Sequence, residues 1–409
     1  MGQHQGETRA VTAQRPTVLK LSEYAPQRWP REEIPRAVAE ELYRSYSSQV
    51  AVEFPSLKTH GQWQLTAQGW VGYIHLAPDF AIALRPKVQL GNLFRMLEYA
   101  YRLQSFEFLT GLTQCRSLRE FYERLAHVLA RRVLDRGRRG FYRAYLPVNE
   151  RLPYARGRLE ARRALRTPWK VQLPWHYERH TPNVEDNRIL AWTLFCVARS
   201  AMCTERVLPA VRRAYRSLQG LVTVAPLQSR ACVGRVYHRL NEDYRLLHAL
   251  CRFFLEHAGP HHDPGDRTML PFLVNMERLF ELFVAEWLKA HLPPGVTLRA
   301  QEPVSIGAGR SLQFRIDLVL YDEATTAPLM VLDTKYKSAS DARLPDVAQV
   351  VTYAQSKGCA EAILIYPTPL PDPFDAMIGD IRIRTLTFAL DGDLEHAGES
   401  FLQTLLAGH

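Results

Sequence analysis

Two neighbouring runs of the chain, QFRIDLVL (313–320) and LMVLDTKYK (329–337), constrain it most. Both have the branched, apolar composition of strands. In the first, alternation puts Phe314, Ile316, Leu318 and Leu320 on one face and Gln313, Arg315 and Asp317 on the other. In the second, Asp333, Lys335 and Lys337 share one face, while Thr334 and Tyr336 share the other. Three charges on one face do not make a core surface, because charged groups are rarely buried unless paired. That face borders water or a site. The short connection predicts antiparallel pairing, which brings Asp317 near Asp333 at a sheet edge or fork.

Two carboxylates brought close repel, so one takes a proton unless a cation lies between them. A hard divalent ion such as Mg²⁺, with Mn²⁺ as a substitute, suits oxygen ligands and relieves that repulsion. Such an ion lowers the pKa of a bound water and stabilises charge on a phosphoryl oxygen. Lys335, on the same face as Asp333, is placed to orient that water and offset developing charge. A third acid comes from NMERLFELFVAEWLKA (275–290), a predicted helix with Met276, Leu279, Phe280, Phe283, Val284, Trp287 and Leu288 on one stripe. Glu281 and its rival Glu277 flank that stripe. Gln349 and Tyr353, four apart on a helix expected near 345–357 and closed by Gly358, can reach the same site. The expected catalytic set is Asp317, Asp333, Lys335, Glu281, Gln349 and Tyr353. The expected metal ligands are Asp317, Asp333, Glu281 and Thr334.

The chain is long enough, at 409 residues, for two or three domains. The fold class expected is α+β and multidomain. Residues 1–16 read as a disordered tail, and 17–112 as a β-rich N-terminal domain with runs such as GWVGYIHLA and FAIALRPKV. Residues 113–260 read as a basic helical region, 261–270 as a Gly/Pro-rich linker, and 271–409 as an α/β domain with a mixed sheet flanked by helices. His261, His262 and Asp263 read as a solvated linker rather than metal ligands. The six cysteines are scattered without a C-x-x-C pair, which argues against a zinc site or disulfide framework and fits a reducing cytoplasm. The longest apolar stretch, 189–198, is shorter than the roughly 20 residues that span a bilayer.

The net charge of +10 is unevenly spread. Residues 116–170 carry 16 Lys and Arg against 5 Asp and Glu, whereas 271–409 carry 11 against 18. One region therefore suits a polyanion or an acidic partner and the other does not, unless the arginines simply form a solvated surface. The chain has no G-x-x-x-x-G-K-[ST] loop, so any nucleotide motor is a separate polypeptide.

The pattern D-x(15)-D-T-K, preceded by a Glu-bearing helix and followed by Q-x-x-x-Y, resembles the PD-(D/E)XK nucleases in their RecB-like form. It departs from them at Ile316, where the pattern has proline. A second resemblance, to the McrC family, runs from about residue 17 to 409. It rests on the order of LSEYAPQRW, GYIHLAPDFAIALRPKV with NLFRMLEYAY, ARGRLEARRALR, EDNRILAWTL, VNMERLFELFVAEWL, FRIDLVL and LDTKYK. That resemblance implies the DNA endonuclease subunit of a 5-methylcytosine-dependent restriction system. Its partner would be an McrB-like AAA+ GTPase hexamer that reads methylated double-stranded DNA. The McrC-like subunit docks through its N-terminal half, stimulates GTP hydrolysis and cuts.

The basic segment keeps two uses, gripping DNA phosphates or contacting the partner ring. Arg156 and Arg158, with Arg138, Arg139 and Arg143, are the residues singled out. Two alternatives to the nuclease reading stand beside it: a GTPase-activating structural subunit with little nuclease activity, and a stand-alone RecB-like nuclease.

Overall fold

A computed structural model of the chain describes residues 17–77, 79–103, 115–258, 271–306, 312–336 and 344–407. The expected tail over 1–16, the whole of the expected linker including His261, His262 and Asp263, and Lys337 all lie outside the described residues. The chain divides into two compact units, Met1–Leu93 with Gly259–His409, and Phe94–Ala258.

The first unit opens with β1 (Thr17–Ser22), β2 (Gln27–Trp29), α1 (Arg36–Tyr46), β3 (Val50–Glu53), β4 (Trp63–Ala67), β5 (Trp70–Ala77) and β6 (Phe80–Arg85). Strands β2, β4 and β3 form a small antiparallel sheet. Strand β4 alternates buried Trp63, Leu65 and Ala67 with partly exposed residues, the pattern of a strand with one face on a core. Helix α2 (Leu90–Ala100) follows, and the division between the units falls within it.

The second unit is a helical layer carrying a three-stranded arm. Helix α3 (Leu118–Arg139) is capped by Ser117, whose hydroxyl accepts from the Glu120 N–H, and it buries Phe121, Leu125, Leu129 and Val133 on one stripe. The arm is β7 (Ala144–Leu152), β8 (Arg158–Leu159), the short helix α4 (Ala161–Leu165) and β9 (Leu173–Thr181), paired in the order β7-β9-β8. Helices α5 (Glu185–Arg199), α6 (Leu208–Leu218) and α7 (Tyr244–Glu256) complete the unit. Both feet of the arm are held by Asn187, whose Nδ2 donates to the Tyr142 carbonyl at 2.8 Å and the Pro182 carbonyl at 2.6 Å.

The chain then returns to the first unit through β10 (Phe272–Asn275), which pairs antiparallel with β5 and completes the sheet β1-β6-β5-β10. Leu273 enters the same core cluster as Leu19, Leu65 and Ile82. The expected division into a 17–112 domain and a separate 271–409 domain therefore differs from the compact units found. The reason is a four-residue strand whose partner lies about two hundred residues upstream, a pairing that local pattern cannot announce.

Helix α8 (Met276–His291) follows at once, with Asn275 as its cap, and all seven residues of the expected stripe are buried. Then come β11 (Val296–Ile306), β12 (Leu312–Asp322), β13 (Pro328–Thr334), α9 (Leu344–Lys357), β14 (Glu361–Tyr366), β15 (Asp375–Ile378), β16 (Ile381–Thr387) and α10 (Leu394–Leu406). Their six strands form one mixed sheet in the order β11-β12-β13-β14-β16-β15, antiparallel at both margins and parallel from β13 through β14 to β16. Strand β14 is buried at every position, as a parallel strand covered on both faces must be. Helix α10 lies close to α8 because Gly398 has no side chain there. A Cβ would stand 2.2 Å from the Trp287 ring. The class is thus α+β, with four sheets and ten helices among the described residues.

Candidate active site

Strands β12 and β13 pair antiparallel, and their ladder ends at Leu318–Leu332. The same register sets Asp317 opposite Asp333 one step further on, where the two strands part and β13 continues along β14. The expected juxtaposition at a fork is what the structure places there. The simple alternation expected for 313–320 does not hold, however. Ile316 shares its core cluster with Val319 and Tyr321 instead of with Leu318 and Leu320.

The break falls opposite Gln301, which has φ 53 in the middle of β11, a left-handed conformation that costs a non-glycine residue energy. Ala300 still pairs with Leu318 and Glu302 with Ile316, so the irregularity sits at Gln301 and Asp317. The strain has a use. It turns the Gln301 amide so that Nε2 donates to Glu281 Oε1 and lies 3.5 Å from Asp317 Oδ1.

Asp317 is fixed from its other side by Thr334, whose N–H and hydroxyl both donate to Oδ2 at 3.2 Å. Of the expected metal ligands, Thr334 thus spends its hydroxyl on Asp317, leaving its main-chain carbonyl as the oxygen it can offer an ion. Glu281 arrives beside Asp317 through Gln301 and is also paired with Arg278 at 2.6 Å. Its rival Glu277 is exposed on α8.

Asp333 is 1% exposed. The Lys335 ammonium stands 2.6 Å from its Oδ2, a close ion pair in a buried setting. Lys335 Nζ also donates to Gln349 Oε1 at 3.0 Å, and Gln349 Nε2 donates to the Tyr353 hydroxyl at 2.6 Å. Tyr353 stacks on Phe314 of β12, with ring centres 4.9 Å apart. Gln349 therefore touches the lysine, whereas Tyr353 acts one bond further out.

Two residues that sequence reasoning missed belong here. Gln301 gave no signal, since its role rests on a backbone conformation. Asp346, buried in the first turn of α9 and 4.0 Å from Lys335 Nζ, stands three residues before Gln349 on the same helical face, a spacing that could have revealed it.

Burial first, and then the Asp317 carboxylate, pushes the Asp333 carboxyl up to about 7 against the pull of Lys335. Burial, again followed by Asp317, holds the Glu281 carboxyl above its usual range. Burial works against the Lys335 ammonium, but Asp333, Asp346 and Asp317 outweigh it and raise its pKa. The site thus gathers more negative charge than its neighbours neutralise.

Among the described residues no group of three or more His, Cys, Asp or Glu side chains is placed to hold a metal ion. The donor set nevertheless fits a hard divalent cation in chemistry. Two carboxylates face one another at the fork, one of them deeply buried, and a single ammonium stands against that buried acid.

The basic residues fall into two places in the second unit. Arg138 and Arg143 line a cavity of about 460 Å³ at the feet of the arm together with Arg213, Phe141 and Leu221. Arg138 is also paired with Asp135 at 2.9 Å, and Arg139 lies 3.8 Å from Asp243. Arg156 lies over the Tyr177 ring at 4.1 Å, and Arg158 is exposed on β8. All six cysteines are buried and free.

Residues 65–367 match the family of McrBC 5-methylcytosine restriction system components. That span is most of the chain, and the chain belongs to the McrBC family. Among solved structures, a chain of the Thermococcus gammatolerans assembly of McrB AAA+ hexamers with bound McrC is 19% identical. The match covers 96% of this chain and all of that one, with a TM-score of 0.56. A chain of the cryo-EM structure of the Thermococcus gammatolerans McrBC complex is 20% identical over 66% of this chain and 87% of that one, with a TM-score of 0.44. The first of these shares the fold. Among curated proteins none matches this chain. No helix among the described residues is long and apolar enough to cross a membrane.

Proposed function

We propose that the chain is the McrC-type subunit of a modification-dependent restriction complex, and that its six-stranded sheet carries a PD-(D/E)XK centre that hydrolyses DNA phosphodiester bonds. The observation that carries this reading is the convergence of Asp317, Asp333 and Lys335 at the fork of β12 and β13, with Lys335 Nζ 2.6 Å from a deeply buried Asp333. Scaffolding does not need an acid whose burial and acidic neighbour push it toward neutrality. Such perturbed groups concentrate where chemistry is done.

Asp317 and Asp333 would hold Mg²⁺, or Mn²⁺ in its place, with the Thr334 carbonyl as a further oxygen and Glu281 behind Gln301. When bound, the ion supplies an activated water and charge stabilisation at the phosphoryl oxygens. The remaining work belongs to the chain. Thr334 and Gln301 orient the Asp317 carboxylate from two sides. Gln349, itself held by Tyr353, keeps the Lys335 ammonium beside Asp333, where it can direct a water and balance charge that builds on the phosphate. The acidic C-terminal segment repels DNA on its own, so delivery falls to another surface. That surface is the arginine-bearing second unit together with an McrB-like AAA+ GTPase hexamer in the cytoplasm, whose GTP hydrolysis this subunit would stimulate.

The test is a reconstitution with the McrB-like partner, GTP, Mg²⁺ and duplex DNA carrying two methylated sites. Double-strand breaks are expected from the complete mixture and from neither protein alone. Breaks made by this chain without its partner would support the stand-alone nuclease instead. Stimulated GTP hydrolysis without breaks would support the structural subunit.

A further inference from the structure

The stretch LSEYAPQRW is remote in sequence from the acids at the fork, yet the structure brings its Glu23 against Tyr336. Glu23, just after β1, is fully buried, and its Oε2 accepts from two sides. The Lys87 N–H reaches it at 3.2 Å and the Tyr336 hydroxyl, two residues past the end of β13, also at 3.2 Å. Glu23 Oε1 is buried with no donor among the described residues. A fully buried carboxyl with an unsatisfied oxygen is costly, and a fold that needed only a filler would do better with an apolar side chain.

Beyond Thr334 the pairing of β13 with β14 has ended, and the next residues are those whose positions matter most. The Lys335 N–H donates to the Ile365 carbonyl at 2.8 Å, which anchors one residue of the exit. Tyr336 anchors the next. Successive side chains of an extended segment point to opposite sides, so the Lys335 side chain turns to Asp333 and Gln349 while Tyr336 turns to Glu23. Tyr336 is 7% exposed, with its ring 6.0 Å from Phe280, the neighbour of Glu281. Its hydroxyl thus sets the path by which the chain leaves the sheet, and that path sets where the Lys335 ammonium stands.

We propose that Glu23 is a positioning residue for the nuclease centre, acting through the Tyr336 hydroxyl to hold Lys335 beside Asp333. The N-terminal sheet then takes part in building the site instead of serving only as a mount. This inference rests on the nuclease reading of Asp317, Asp333 and Lys335.

The experiment measures single-turnover cutting of methylated two-site duplex DNA by the reconstituted complex. It compares the parent with Glu23→Gln, Glu23→Ala, Tyr336→Phe, the double variant Glu23→Ala/Tyr336→Phe, and Asp333→Ala. Glu23→Ala and Tyr336→Phe are each expected to slow cutting roughly 10- to 100-fold, with the DNA concentration for half-maximal rate unchanged, as a misplaced group does. Glu23→Gln keeps an acceptor and should stay within about threefold of the parent. The double variant should be no slower than the slower single one, because both break one link.

Partner GTP hydrolysis should not change in any variant, which reports that each has folded and docked. If Tyr336→Phe and Glu23→Ala cut like the parent while Asp333→Ala is inactive, the positioning role is overturned and the site reading stands. If Asp333→Ala also cuts like the parent, the site reading itself has failed. Should Glu23→Ala not fold, Tyr336→Phe and Glu23→Gln decide the matter, since one removes a single oxygen and the other a charge.

Discussion

Asp186 in the helical unit and Asp333 in the sheet unit are both buried acids with a basic neighbour, but they are provided for differently. Asp186 sits in the first turn of α5, where the helix dipole favours an anion, and its Oδ2 accepts from Arg235 Nη2 at 3.0 Å. Arg235 also binds Glu185, while His248 reaches the Asp186 carbonyl at 3.2 Å and Tyr237 caps the imidazole at 2.9 Å. Asp333 stands at a strand end with no dipole to help it. Its oxygen pairs with an ammonium that is shared with Gln349, and the opposing strand adds a second acid. A satisfied buried acid builds a scaffold. One left in conflict with its surroundings marks a place held ready for a cation or a proton.

The comparison is broken most sharply by exchanging the roles of the two networks. Asp317→Asn should reduce DNA cutting by the reconstituted complex roughly 10²–10³-fold with little change in thermal stability. Arg235→Ala should leave the chemistry intact when the protein is folded but cost about 3 kcal/mol of stability, because it strands a buried carboxylate. A gel assay and a melting curve on each variant read both. Equal losses of stability would erase the distinction between scaffold and site.

The two networks should also answer pH with opposite signs. The folded-state value for Asp333, about 7, lies above its ordinary 3.8, so the folded chain binds an extra proton between those values and loses stability as pH rises through the window. Asp333→Asn removes that loss and should stabilise the protein at pH 8 by a few kcal/mol, on the order of 4 at most, with the gain fading toward pH 4. His248 runs the other way. Burial lowers it from 6.5 to about 4, so the unfolded chain binds the extra proton and stability falls as pH drops from 6.5 to 4. Replacing it, as in His248→Gln, should flatten that fall by about 3 kcal/mol. Denaturant melts of parent and variants at pH 4, 6 and 8 test both slopes, and a stability difference independent of pH in either case would defeat the assignment.

Much of this architecture was legible locally. The apolar stripe of α8, the apolar run AILIY within β14 and the charged face of LDTKYK each announce an element and its environment, because each depends on spacing within one segment. Asp317, Asp333, Glu281 and Lys335 could be named for the same reason, whereas Asp346 was passed over. What could not be read depends on partners distant in sequence or on backbone shape. Strand β10 is four residues long and pairs with Trp70–Tyr73. Strand β11 carries Pro303 and a run of polar residues, which disguises it, and the turn at Gln301 that joins Glu281 to Asp317 leaves no trace in composition. Glu23 is as hidden, since a lone acid in an N-terminal segment reads as surface until Tyr336 is seen beside it.

A nuclease centre at this fork requires that the ammonium beside Asp333 serve the cutting reaction. Lys335→Ala, assembled with the McrB-like partner and given GTP, Mg²⁺ and methylated two-site DNA, separates that role from every other, with cleavage and GTP release followed in one tube. Cleavage should drop roughly 10²-fold or more while GTP release continues at the parent rate. Cleavage at the parent rate would contradict the assignment of this site outright.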